Sequence, residues 1–561
     1  MRTLLVSSLL AGALGAGCAA PPAELIVTVQ AQPSVHDAKT LHVTLSNAGG
    51  TVSQDLDLGA HAFPVTFGVQ ATGRTGDLGI AVDALDANQL VVGRGDSTSV
   101  VTDPEATVKL AGADFVVNTD FADDQEVTSD FETYGFQMAA TADGTWLASY
   151  HGACTTPCHM FGRRFDATGK AVQSEVAAST NAFPITTTLS DGTPNTAIAA
   201  TGSSLLAFWD FRDSVAMTTG VACRAFDAQG NATPTQGQIA SDSGTDVVAA
   251  ATLSNSNIAV AWVAPLATTS IRGAIVSPDC TRVLGPYTVN TTTTGFIHRP
   301  TLGVSGDALL YAWIVDGSVR FHVGTNGGVF PGTDQVLIAA TMTEQVDQVR
   351  VAPFAGGFAV AVRWGPITGA GQSRIEVYKA DRTGKITAGP TVVTSVAIPE
   401  FETVYSFGLA PRADGALLVV WHECNAGGDG NGCGVFGRVL RPTGAPVGDK
   451  IVIPTTVLGD QTTPSAVALP GAFAVSWTDK SGAEPDHSGL AVRARILVPP
   501  YDDASAIQGA TCSASAPCGP NLACAMGSDG ARCYETCTPP SCPNGGSCKL
   551  ALDGTTSACT F

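Results

Sequence analysis

Charge is scarce in this sequence. Only 14% of its 561 residues are Asp, Glu, Lys or Arg, where soluble chains carry about 25%. Basic residues are the scarcest, 29 against 49 acidic, and the formal net charge is -20. Binding to a phosphate backbone needs clustered cations to displace its counterions, so this composition disfavours nucleic-acid partners. The same scarcity argues against a coiled coil or other long-helix protein. Aromatics make up 7%, and beyond the N-terminus no apolar run is long enough for a membrane-spanning helix. Also missing are a Gly-x-Ser-x-Gly elbow, a His-Glu-x-x-His pair and a phosphate loop. Plentiful instead are glycine and proline, 62 and 32 residues, which punctuate chains of short strands and tight turns.

Residues 1–17 hold one cation, Arg2, then a short apolar run and a series of small residues, the pattern of a secretory signal peptide. Leu14-Gly15-Ala16-Gly17-Cys18 resembles the lipobox of bacterial lipoproteins, with its leucine one place earlier than the family prefers. The resemblance implies that Cys18 is acylated and that contact with a bilayer is through this anchor alone. Cleavage after Ala20, giving a secreted protein, is the alternative. Removing Cys18 from 15 cysteines leaves an even number, able to pair in an oxidising compartment.

A turn followed by apolar residues and an aromatic recurs through the middle of the chain. The copies lie at 147–150, 206–209, 259–262, 310–313, 359–362, 418–421 and 474–477, and all seven tryptophans fall in or beside them. Their ends are 49 to 59 residues apart, a period that signals a repeat architecture. Each period has room for four antiparallel strands, one blade of a β-propeller. The last copy stops after a third strand and is followed by Pro499 and Pro500. An orphan strand at 124–127 is expected to complete it and close the ring, which hides two sheet edges. The repeats over residues 124–500 resemble those of seven-bladed β-propellers in secreted bacterial proteins.

Residues 24–115 lack this period and alternate apolar with polar residues in short runs. They are expected to form an immunoglobulin-like or fibronectin-like β-sandwich. Arg94-Gly95-Asp96 matches the integrin-binding tripeptide, and its plain reading is a glycine turn between strands. Within residues 511–561 a third composition appears, a disulfide-built module. Its eight cysteines split into Cys512, Cys518, Cys524, Cys533 and Cys537, Cys542, Cys548, Cys559. The second set is similar to the opening of an EGF-like domain, without that family's later Cys-x-Cys pair, so a calcium site is not implied. Pairing first to third and second to fourth is preferred among three possibilities for each half. Zinc is the competing use, but paired C-x-x-C knuckles are absent.

The loops after the second strand of each blade share one face with the loops between blades, where propellers usually bind ligands. His151, Asp210, His422, Glu423 and Asp479 follow the repeat's aromatic on blades one, two, six and seven, and could form an arc of ligand groups. A loop-capping role is the plainer assignment. Cys154 with Cys158 and Cys424 with Cys433 fit local staples, and Cys223 and Cys280 fit a bridge between adjacent blades. Residues 425–431 are rich in oxygen ligands but lack the Asp spacing of a calcium loop. Residues 141–146 resemble the Asp-box of sialidases, one residue short and present once; such boxes are structural turns. The chain is thus expected to be an all-β, monomeric envelope lipoprotein that binds an extracellular or envelope protein or a glycan. No cofactor, metal or catalytic residue is expected. The alternative is a propeller-type glycan hydrolase or lyase, whose carboxylates need not be close in sequence.

Overall fold

The computed structural model describes residues 24–118, 138–172 and 196–498, apart from short loop stretches inside those ranges, and four strands between 522 and 560. Cys18, Cys154, Cys158, Cys512, Cys518, Cys537, Cys542 and residues 124–127 and 425–431 lie outside the described residues. All described secondary structure is extended. The chain divides into two compact units, Met1–Phe115 with Ala167–Lys170, and Val116–Asp166 with Ala171–Phe561.

In the first unit seven strands curl around one core in the manner of a sandwich. They are β1 (Glu24–Ala31), β2 (Thr40–Asn47), β3 (Gly50–Asp57), β4 (Val65–Gln70), β5 (Asp77–Leu85), β6 (Val91–Val100) and β7 (Glu105–Gly112), in the order β3-β2-β5-β6-β7-β1-β4. Strict alternation drives the burial. In β5, Leu78, Ile80, Val82 and Ala84 point inward and join Leu25, Val27 and Val108 in the core. An immunoglobulin constant domain pairs its first strand with its second, whereas here β1 lies between β7, in parallel, and β4. Alternation specifies which face is buried and leaves the choice of neighbours open.

Arg94-Gly95-Asp96 is not a turn. It lies within β6, paired with Asp83, Val82 and Ala81 of β5. A Cβ on Gly95 would stand 2.3 Å from the carbonyl oxygen of Lys109. The glycine is needed because the backbone of β7 passes there.

The second unit contains seven sheets in succession: one of three described strands and six of four, each pairing its strands in chain order except at the last. Blade 2, for example, runs from Thr196–Thr201 through Ser204–Asp213 and Thr218–Phe226 to Ala232–Ala240. Every copy of the repeat read from the sequence is a second strand. Six of the tryptophans pack against the preceding blade: Trp209 on blade 1, Trp262 on blade 2, Trp313 on blade 3, Trp364 on blade 4, Trp421 on blade 5 and Trp477 on blade 6. Blades radiate from an axis, so the gap between them widens outward. First strands near the axis therefore carry small residues such as Ala199, Ala250 and Ala352, and the next strand out carries the large indole.

Among the described residues seven hairpin turns share one design. In the copy at Thr141, the Thr141 N–H donates to the Thr145 carbonyl and the Gly144 N–H to the Thr141 carbonyl. The same bonds start at Leu253, Ser277, Thr325, Asp381, Arg412 and Arg441. The fourth residue has positive φ and is glycine in five copies, as the left-handed region favours. Residues 141–146, the run similar to an Asp-box, are one of these turns, with Asp143 accepting the Thr145 N–H at 3.0 Å. At Ser277 the left-handed place is taken by Cys280 at φ 66, and its sulfur is bonded to Cys223, joining blades 2 and 3.

Blade 7 comprises Gln461–Leu469, Ala472–Asp479, Ala491–Leu497 and, in fourth place, β8 (Phe115–Val116). The ring is closed by the segment directly after residue 114. Val117 N–H donates to the Val492 carbonyl at 2.7 Å, and Val492 N–H donates to Asn118 Oδ1 at 2.7 Å. Arg163 of blade 1 donates to the Val117 carbonyl. Asn118 is buried, so Asn118→Ala strands the Val492 N–H and should destabilise the protein by about 1–3 kcal/mol, measured as a lowered urea midpoint.

Candidate functional site

Chain direction defines the two faces of the ring. First strands start, and second strands end, on one face, so fourth-to-first and second-to-third loops meet there. The axial channel itself is chemically plain. Its cavity of 380 Å³ is lined by first strands through residues such as Ile198, Leu302, Val351, Leu409 and Val467. Among the described residues that line it, Thr252 is the one with a side-chain hydroxyl and none is charged.

Closer to the loop face, first strands break their pairing. Register shifts fall between His298 and Thr301, Val346 and Gln348, and Thr462 and Ser465. Two residues in these bulges, Arg299 and Thr463, have positive φ. Bulges re-aim side chains, and polar groups gather here. Asp347, in the bulge of blade 5, receives Arg363 through two bonds of 2.6 Å. Beside Arg363 the amide of Gln348 is fully buried, and neither of its ends meets a protein partner. His298 is pushed down to about 4 by burial and by Arg299.

Asp210, His422, Glu423 and Asp479 are all buried. His151 ends the second strand of blade 1, with Met160 as its backbone partner. Glu423 accepts from Trp421 Nε1 at 2.7 Å and from Thr394, and pairs with Lys450 at 2.7 Å. Asp479 accepts from Arg493 Nε at 2.8 Å, from Gln461 at 3.3 Å and from Ser481. Burial raises the pKa of Asp479 despite Ser481 and Arg493, which act the other way. Glu376, absent from the sequence reading, accepts from Trp364, Arg374 and Tyr378 at 2.7–2.8 Å. These carboxylates are committed to internal donors. Among the described residues no group of three His, Cys, Asp or Glu side chains could hold a metal ion.

His422 is pushed down to about 3 by burial and by the Arg363 charge, with Ser406 against its Nδ1. Its folded pKa therefore lies below the unfolded value near 6.5. The unfolded chain binds the proton first, so the stability due to neutral His422 is present above pH 6.5 and is lost as pH falls towards 3. A His422→Gln variant should lose less stability than the parent over that interval, read from urea midpoints against pH. Equal acid slopes would discard this role.

Cys424 and Cys433 are bonded and close the second-to-third loop of blade 6. With Cys223–Cys280 this indicates an oxidising compartment, secreted or envelope. No helix among the described residues is long and apolar enough to cross a membrane. In the C-terminal module, two hairpins set Cys524 opposite Cys533 and Cys548 opposite Cys559. The third and fourth cysteines of each half thus share one register.

No protein-family model matches the chain, and no curated protein does. Among solved structures it is similar to the phage phi92 endosialidase, with 11% identity over 78% of each chain and a TM-score of 0.34. It is also similar to an α-L-arabinofuranosidase from Fusarium graminearum, with 11% identity over 69% of this chain and 98% of that one (TM-score 0.36). A Dyadobacter fermentans protein of unknown function shares 12% identity over 54% of this chain and 93% of its own, with a TM-score of 0.38. The seven-bladed assignment rests on this chain's own sheets.

Proposed function

We propose that this protein is a non-catalytic binding propeller of the cell envelope, tethered through acylated Cys18, with the N-terminal sandwich as a stalk. One observation carries the reading. The carboxylates near the loop face, half-buried Asp347 and buried Glu376, Glu423 and Asp479, are bound to internal donors, and the channel below them is apolar. A glycosidase needs one carboxyl group free to give a proton and another free to act as nucleophile or base. A ring whose carboxylates are already engaged by internal donors instead offers its outer loops for recognition.

The test uses the full chain against a glycan array, a panel of envelope proteins and a set of polysaccharides assayed for new reducing ends or unsaturated products. Saturable binding without cleavage is the expected result. Turnover of any polysaccharide would replace this reading with the hydrolase or lyase. For the anchor, Cys18→Ala should move the protein from the membrane to the soluble fraction; a variant that stays with membranes removes the lipid tether.

A further inference from the structure

The two most exposed large apolar side chains among the described residues are Met342, at 98%, and Phe296, at 71%. Both are on the loop face, each just before the first strand of its blade, 5 and 4 respectively. Ile367, 45% exposed, follows the second strand of blade 5 on the same face. These positions are held, not frayed. Phe296 N–H donates to Asp316 at 2.9 Å and its ring lies 4.7 Å from the His298 ring. Met342 sits in a tight turn in which Thr341 N–H reaches the Glu344 carbonyl and Glu344 N–H reaches Thr341 Oγ1, both at 2.8 Å. Ile367 N–H donates to the Thr343 carbonyl at 3.0 Å, and Val346 N–H to the Gly317 carbonyl at 2.8 Å. Hydrogen bonds from backbone N–H groups to carbonyls and to the Asp316 and Thr341 side chains thus connect the three sites across blades 4 and 5.

We infer that this face of blades 4 and 5 docks a protein segment that presents an apolar anchor flanked by lysine or arginine. The inference rests on the binding reading above and names its partner class. Exposed apolar side chains on rigid turns keep the ordering cost of association low, and a cluster with aromatic and methionine members is the usual composition of a protein interface core. A sugar would need free polar groups around the ring, but Asp347 is held by Arg363 and Glu344 by Arg374. Asp316 is the exception. It accepts the Phe296 N–H and has no ion-pair partner among the described residues, so it presents a carboxylate to a partner's cation. The chain's charge of -20 steers such a partner in the same direction.

The test uses the full chain and its Phe296→Ser/Met342→Ser variant on an array of short peptides with Phe, Leu or Ile anchors flanked by Lys, and the same peptides flanked by Glu. The parent should retain the Lys-flanked set, and the variant should lose binding by about tenfold or more. Val329→Ser, on the opposite face, should bind like the parent, and unchanged melting of all three proteins excludes misfolding. Peptide binding that survives the double substitution overturns this surface while leaving the binding reading in place. Glycan-array binding lost in Phe296→Ser overturns it in favour of a sugar platform, and self-association lost in the variant overturns it in favour of a second copy. Polysaccharide cleavage overturns the underlying reading as well.

Discussion

Replacing Arg493 by methionine should destabilise the protein by about 3–5 kcal/mol at neutral pH. Arg493 and Asp479 are both almost fully buried, 2.8 Å apart, on neighbouring strands of blade 7. Methionine fills much of the guanidinium's volume, so the main loss is electrostatic: a buried carboxylate without its cation. The pH dependence separates this cause from lost packing. Asp479 already has a folded pKa above its unfolded value through burial, and removing Arg493 raises it further. Above that pKa the unpaired charge opposes folding; as pH falls through it, the carboxyl takes up a proton and the penalty fades. The deficit of Arg493→Met against the parent should therefore shrink in acid, and Arg493→Met with Asp479→Leu should recover most of the loss. A deficit that is constant with pH would mean that packing, not charge, dominates.

Truncating a blade-to-blade tryptophan should have an effect of the same size. Trp262→Ala and Trp421→Ala each empty a wedge between blades and should cost about 3–5 kcal/mol. Substitution by phenylalanine distinguishes the two sites. Trp262 Nε1 has no hydrogen-bond partner, so Trp262→Phe loses only part of the ring. Trp421 Nε1 donates to the buried Glu423, and Trp421→Phe takes a donor from that carboxylate, a further loss of about 1–3 kcal/mol. Chemical denaturation midpoints of the four variants give the comparison. Equal losses at both phenylalanine sites would show that Glu423 does not depend on Trp421.

The tryptophan period was legible because spacing along the chain is repeated spacing around a ring. Every second strand was visible in the alternation of apolar runs and turns. The closing strand was harder to locate. Phe115–Val116 is two residues long, too short for any periodicity, and its role comes from a contact with residues some 374 positions away. The tripeptide at 94–96 was misleading for a similar reason: Gly95 makes room for a strand that comes later in the chain, a demand invisible from its neighbours.

Candidate polar residues divide along the same line. His422, Glu423 and Asp479 stand out in sequence because polar groups follow directly on an apolar strand, and that position alone is equally compatible with a ligand arc or with capping. Besides the local donors Trp421 and Ser481, the donors to Glu423 and Asp479 are Lys450, Thr394, Arg493 and Gln461, all on other strands. Phe296, Met342 and Ile367 lie outside the repeat and carried no signal, since exposure is a property of the folded surface. The sequence by itself determined the number of blades, the strand period and the chemistry of the turns, because each depends on residues close together in the chain. Only the tertiary structure decided how the ring closes, which carboxylates are saturated and which apolar groups face solvent, because burial and partnership arise between segments that the chain order keeps apart.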